Sequence, residues 1–236
     1  MAMPRTARSA RERVREEMTA EILAVARAHV AEEGAAALSL RSVARDLELA
    51  PSALYRYFDG RDALLSALIM AAYAALAAEA ERAADAARGE PSDAERWLAV
   101  PRAIRRWAVG RPQEWGLIFG TPVPGYEAPE DTVEPYARVA AAMVRPVNEA
   151  KEAGRLRMER SHADVSDALR EAVTPVTEAL FPEMPVAKVV LAIQAWTTVV
   201  GVISLEVFGH WRRTILDPEA FFEATIRELA GQIGLV

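Results

Sequence analysis

Apolar residues recur along this chain at the i, i+3, i+4, i+7 spacing that leaves one stripe of a helix to be buried. The pattern is tightest in SLRSVARDLELAPSALYRYF, residues 39–58. There Leu40, Val43, Ala44 and Leu47 form one stripe, Ser39 stands where it would cap the N-terminus, and Arg41, Ser42 and Arg45 face the other way. A second short helix is expected from Pro51, whose missing N–H costs nothing in a first turn, to Tyr57. It buries Leu54 and Phe58 and turns Ser52, Ala53, Tyr55, Arg56 and Tyr57 outward. Two short helices joined by a tight turn, each burying one stripe, describe a helix-turn-helix that seats its second helix in a DNA major groove.

The remainder reads as further helices. A first one is expected over residues 16–33, with Met18, Ile22, Val25 and His29 on one stripe and Gly34 as its stop. No ligand cluster surrounds His29, which reads as a core histidine. After the Asp59-Gly60 turn, an Ala-rich helix over residues 61–88 is apolar in its first half and can serve as a lever between the helix-turn-helix and the rest of the chain. Ser92 and Glu95 make a capping-box pattern, and two helices between Trp97 and Phe119 break near Gly110-Arg111-Pro112. Residues 120–131, GTPVPGYEAPED, are a loop and a candidate gate to a pocket.

Helices are then expected over 132–154, 162–181, 185–209 and 217–233, with Arg155, Arg157 and Arg160 in a turn read as solvated. The last two carry more apolar surface than an isolated monomer needs. Val189, Ile193, Ile203, Val207, Phe221, Phe222 and Leu229 are therefore candidates for an isologous four-helix dimer interface. A hairpin buried within one subunit is the competing account.

Composition changes this picture at one point. The 236 residues are 52% hydrophobic, enough for a core without staples, and the absence of cysteine excludes disulfides and thiolate zinc sites. With charges expected to interrupt every apolar helix short of a membrane span, the chain is expected to be soluble, cytoplasmic and free of membrane. The net charge of −6 opposes nucleic-acid binding until it is divided. Residues 1–62 hold 10 Arg against 10 acids, so the whole excess lies in residues 63–236, with 18 Lys+Arg against 24 Asp+Glu. Arg5, Arg8, Arg11, Arg13 and Arg15 against Glu12 then make a basic N-terminal arm able to neutralise phosphates.

Ser39-Leu40-Arg41-Ser42-Val43-Ala44, Leu54-Tyr55-Arg56-Tyr57-Phe58 and Arg61-Asp62-Ala63-Leu64-Leu65 together resemble the DNA-binding signature of the tetracycline-repressor (TetR) family of bacterial one-component regulators. The family usually has a small residue and then Gly in the turn, where this chain has Leu47 and Glu48, and a Ser or Thr cap where it has Ala50. A non-Gly residue there must avoid or tolerate a left-handed backbone. The resemblance implies an all-α protein of about nine helices. Its N-terminal three-helix DNA-binding domain with the basic arm would span residues 1–60, and its helical effector-binding and dimerisation domain residues 61–236.

In that scheme Ser39, Arg41, Arg45, Tyr55, Tyr57 and Arg61 belong to the DNA-facing surface, chiefly on phosphates, and Ser52, Ala53 and Arg56 reach base edges. The aromatic-rich region would line an effector pocket, with Trp97, Trp107, Trp115, Phe119, Tyr136, Met143, Trp196 and Val200 as candidates. The tract from Ala195-Trp196 through Gly201 to Leu205-Glu206 also resembles a C-terminal domain class of such regulators, which often has His where this chain has Val200.

The function expected is a homodimeric transcriptional regulator, most simply a repressor released from a near-palindromic double-stranded DNA operator by a small, largely apolar effector. No catalytic spacing, phosphate-cradling Gly-rich loop or metal-ligand cluster supports an enzyme, a cofactor or a metal, and His29, His162 and His210 are scattered. A helical adaptor that does not read DNA is the alternative.

Overall fold

The structure is a computed structural model and describes residues 10–158 and 165–235. Among these there are eleven α-helices and three one-turn 3₁₀ helices, with no strand. The described residues divide into two compact units. One holds the described residues through Ala71 together with Thr121–Thr132, and the other holds Ala72–Gly120 and the described residues from Val133 onward. The division falls inside a continuous helix, after Ala71, rather than at residue 60.

The first unit begins with α1, Ala10–Glu33. This helix starts well before the expected residue 16, so Arg11, Arg13 and Arg15 stand on a helix and not on an extended arm, while Arg5 and Arg8 lie outside the described residues. Its buried positions are Ile22, Ala26 and Val30, spaced by four, and it stops at Gly34 with φ 82°. Helix α2, Leu40–Asp46, buries Leu40, Val43 and Ala44; α3, Pro51–Leu54, buries Leu54; and α4, Arg61–Ala86, begins with the buried pair Leu64 and Leu65. Ser39 does occupy the N-cap of α2, but its hydroxyl caps nothing: only its carbonyl is used, by Val43 N–H and the Ser42 hydroxyl.

The second unit is built round α5, Asp93–Gly110, which packs against α6 (Pro112–Phe119), α7 (Val133–Glu152), α10 (Val186–Val207) and α11 (Pro218–Ile233). Ser92 caps α5 by accepting from Glu95 N–H at 3.0 Å, while the Glu95 carboxylate turns to Arg102 and Arg227 instead of completing the capping box. Asp217 caps α11 through Ala220 N–H at 2.9 Å. The single helix expected over 162–181 is two, α8 (Asp167–Ala172) and α9 (Thr174–Leu180), because Val173 ends the first and Pro175 sits in the first turn of the second.

Trp97 and Trp115 are almost wholly buried in this unit's core, where truncating such a ring costs about 3–5 kcal/mol. Charged pairs lash the helices from outside: Arg105 reaches Glu206 at 2.8 and 2.7 Å, and Arg138 reaches Glu81 at 2.9 and 2.8 Å. Arg155, read as part of a solvated turn, instead grips the buried Asp93 carboxylate at 2.7 and 3.0 Å. Arg160 and His162 lie outside the described residues.

One expectation from hydropathy fails. From Val189 to Leu205 α10 has no charged residue, and by length and composition both it and Arg61–Gly89 could cross a membrane, with mean hydropathies of 1.9 and 1.8. The apolar length of α10 serves three different surfaces. Val189, Ala195, Val199 and Ile203 enter the core, Ala192, Ile193 and Trp196 line a cavity, and a further stripe faces out.

Candidate functional site

In the first unit the turn between α2 and α3 closes by two reverse hydrogen bonds, Leu49 N–H to Ala44 O at 2.9 Å and Glu48 N–H to Arg45 O at 3.0 Å. This is the Schellman cap, whose C′ residue must be left-handed. Glu48 fills that position with φ 56°, so the turn tolerates the left-handed backbone rather than avoiding it. Among the described residues three other helix ends close in the same 6→1 and 5→2 pattern, each with glycine at C′: Gly154, Gly209 and Gly234.

Regular helix in α3 lasts one turn, with Pro51 at its start and Ala50 as an N-cap that offers no side-chain bond. Arg56, Tyr57 and Phe58 N–H groups still bond back to Ala53 and Leu54, so the chain continues as a tightened turn and not as helix to Tyr57. Ser52, Tyr55 and Arg56 are exposed, Ala53 and Tyr57 half-buried, and Arg41 and Arg45 exposed on α2. An open groove of about 530 Å³ brings Arg11, Val14 and Arg15 of α1 together with Arg56 and Tyr57. The Arg15 guanidinium lies over the Tyr57 ring, 5.5 Å from its centroid. Charge alone marks the α1 arginines only as a loose arm; the helical period of α1, extended three residues upstream of Arg13, is the signal that places them.

His29 donates from Nε2 to Asp46 Oδ2 at 2.6 Å, tying α1 to the end of α2, and this bond, with a weaker one from Arg45, holds the Asp46 carboxyl below its ordinary value. Arg61 does not offer a free guanidinium for phosphate. It donates to the carbonyls of Ala35 and Ala36 at 3.2 and 3.3 Å and to Asp62 at 3.1 Å, which makes it a brace for the chain between α1 and α2.

The second unit contains a cavity of about 280 Å³. Of the expected residues Trp97, Tyr136, Met143 and Trp196 line it. Trp107, Trp115, Phe119 and Val200 do not. Trp107 is buried with Arg111 over its ring, Trp115 donates to Ser204 Oγ at 3.1 Å from within the core, and Val200 packs on that core. Phe119 stands behind the wall, in edge contact with Tyr73 and Trp196. What the sequence missed is the opposite side: Val176, Leu180 and Phe181 of α9 and its end, with Val144 and Val147 of α7 and Ile233 of α11. The spacing 176, 180, 181 was a legible apolar stripe, but nothing in it distinguishes a cavity wall from a core.

Trp196 Nε1–H donates to the Tyr136 hydroxyl at 3.0 Å, and the Tyr136 ring meets Tyr73 edge-on. Burial, with the neighbouring Tyr136 second, raises the Tyr73 phenol above its ordinary value. Residues 120–131, expected as a gate, contribute nothing to the cavity lining; Thr121–Thr132 groups with the first unit, where the Tyr126 hydroxyl meets Ser66 Oγ at 2.9 Å.

The dimer candidates divide in the same way. Val189, Ile203, Phe222 and Leu229 are buried inside the unit, because α10 and α11 pack on α5, and Ile193 faces the cavity. Val207 is half-buried against the core, leaving Phe221 exposed beside Trp211. The outward positions of α10 and its C-cap are instead the exposed Gln194, Thr197, Leu205 and Phe208 with the half-buried Val190 and Gly201, where a β-carbon on Gly201 would meet nothing.

Residues 22–68 match the family model for bacterial regulatory proteins of the tetR family, and residues 97–229, more than half of the chain, match the tetracyclin repressor-like C-terminal domain. The chain belongs to the TetR family. HTH-type transcriptional regulators of Mycobacterium tuberculosis (Rv1816) and Mycobacterium bovis (Mb1846) are each 37% identical to it over 228 residues, covering 91% of this chain and 92% of theirs. Among solved structures, the regulatory protein SCO4313 is similar with a TM-score of 0.77 and 34% identity over 94% of this chain and all of that one. A Rhodococcus protein of unknown function is similar with a TM-score of 0.64 and 25% identity, over 97% of this chain and 100% of its own. This TetR-family chain is thus a transcriptional regulator with a DNA-binding domain, and its family and relatives are regulators rather than enzymes.

Proposed function

We propose that this regulator acts in the cytoplasm as a homodimeric repressor, each subunit placing α3 in the major groove of one half of a near-palindromic operator. The observation that carries the reading is the cluster at α3, where exposed Ser52, Tyr55 and Arg56 adjoin a groove walled by Arg11 and Arg15. Ser52, Ala53 and Arg56 reach base edges, while Arg11, Arg15, Arg41, Arg45, Tyr55 and Tyr57 hold phosphates and Ser39 flanks them. Arg61 is left to bracing. The outward face of α10, mixed polar and apolar with Leu205 and Phe208 exposed at its end, together with the exposed Phe221 of α11, is the surface that a symmetry-related copy covers, approaching closest at Gly201.

The 280 Å³ cavity supports the regulatory half of the proposal. A small, largely apolar effector favoured by a conformation unable to engage both half-sites releases DNA, since only a difference in affinity between two states shifts their populations. The unbroken helix α4, whose residues are shared between the two units, is the covalent link for that coupling.

Fluorescence anisotropy with the DNA flanking the protein's own gene tests the reading. Binding that prefers particular sequences and weakens with salt is expected, and Arg56→Ala should weaken it by about 1–3 kcal/mol and relax one base preference without altering dimerisation. Binding indifferent to sequence, or to Arg56→Ala, would mean an adaptor and not an operator-reading repressor.

A further inference from the structure

Resting on the effector reading of the second unit's cavity, we infer that its ligand is a neutral molecule of about nine non-hydrogen atoms, apolar but for one hydrogen-bond acceptor that takes the Tyr136 hydroxyl proton. Three observations define this class. The first is size. At the roughly 30 Å³ that one water molecule occupies in the liquid, the 280 Å³ cavity has room for roughly nine water-sized groups.

The second is charge. The lining is Trp97, Tyr136, Met143, Trp196 and aliphatic side chains, with no Lys, Arg, His, Asp or Glu among the lining residues. On α7, Arg138 is paired with Glu81 and Arg145 with Asp85, and on α10 the buried Lys188 ammonium donates to the Arg157 and Ile233 carbonyls; none of these charged groups is in that lining. An ionised carboxylate or amine entering the cavity would lose its water without gaining a counter-ion, which is prohibitive against a neutral competitor.

The third is hydrogen-bond sense. The oxygen of Tyr136, a residue 36% exposed at the cavity rim, already accepts from Trp196 Nε1–H, while its own O–H meets no acceptor among the described residues and is open to water or to a ligand. The wall therefore offers one donor. A ketone, ester or ether oxygen satisfies it, and a hydrocarbon does not.

Cumene, acetophenone and benzoate share one branched skeleton of non-hydrogen atoms and differ in whether the branch carbon carries two methyl groups, a methyl group and a carbonyl oxygen, or two carboxylate oxygens. Isothermal titration calorimetry at neutral pH on the full-length protein and on Tyr136→Phe separates the terms. Acetophenone and cumene are expected to bind the wild type and benzoate to give no heat. Tyr136→Phe should weaken acetophenone about fivefold, the worth of one neutral hydrogen bond, and leave cumene unchanged. If the substitution weakens both neutral probes by the same factor, or if benzoate binds as tightly as acetophenone, the cavity stands as a ligand site and the inferred class is overturned. If none of the three binds the wild type, the effector reading of the cavity fails and takes this inference with it.

Discussion

Replacing Glu48 by glycine should stabilise the protein, against the usual direction of substitutions to glycine. Glu48 sits at φ 56°, where a β-carbon crowds the following carbonyl at a cost of about 1–2 kcal/mol. Glycine removes that cost and returns about 0.4–1 kcal/mol through the greater freedom of its unfolded chain. The Glu48 side chain is exposed, so no packing is lost. The net gain is about 0.5–1 kcal/mol, or roughly 1–4 °C in Tm for a chain of this size. Thermal unfolding of Glu48→Gly beside Glu48→Ala measures it. Alanine removes the same charge but keeps the β-carbon, so it should leave Tm where it was, and the two variants should bind operator DNA equally. If alanine stabilises as much as glycine, charge and not backbone strain governs the turn, and the argument is refuted.

The Asp93 carboxyl, held by the Arg155 guanidinium, titrates below its ordinary value of 3.8 in the fold. Its contribution is then complete above that ordinary value and is lost as pH falls through the lower folded one. Asp93→Asn should lower the urea midpoint near neutrality, and its gap to wild type should begin to narrow below about pH 4; a gap that stays constant down to pH 3 would remove Arg155 as the cause. Leu205→Arg, on the outward stripe of α10 and 42% exposed in one subunit, should convert a dimer to a folded monomer in sedimentation velocity. An intact dimer after both Leu205→Arg and Phe221→Glu would place the interface elsewhere.

The sequence by itself determined most of the helices and which residues of α2 and α3 face outward. A 3.6-residue period is a local property, and Leu40, Val43, Ala44 and Leu54 had to be buried wherever the chain went, which forced Arg41, Ser52, Tyr55 and Arg56 outward. The demand on Glu48 was also local, because the C′ residue of that cap needs a left-handed backbone whatever packs around it.

Tertiary structure alone decided which of several apolar faces meets what. Residues 189, 193 and 205 of α10 are all apolar, yet the first is core, the second cavity wall and the third open surface. The hydrophobic effect has no direction, and burial rewards each of these faces equally in the sequence. For the same reason Trp115 and Trp196 looked alike until packing set the first against Ser204 in the core and the second beside Tyr136 on the cavity wall. Arg61 matched the phosphate-facing signature, and only the fold brought the Ala35 and Ala36 carbonyls within its reach.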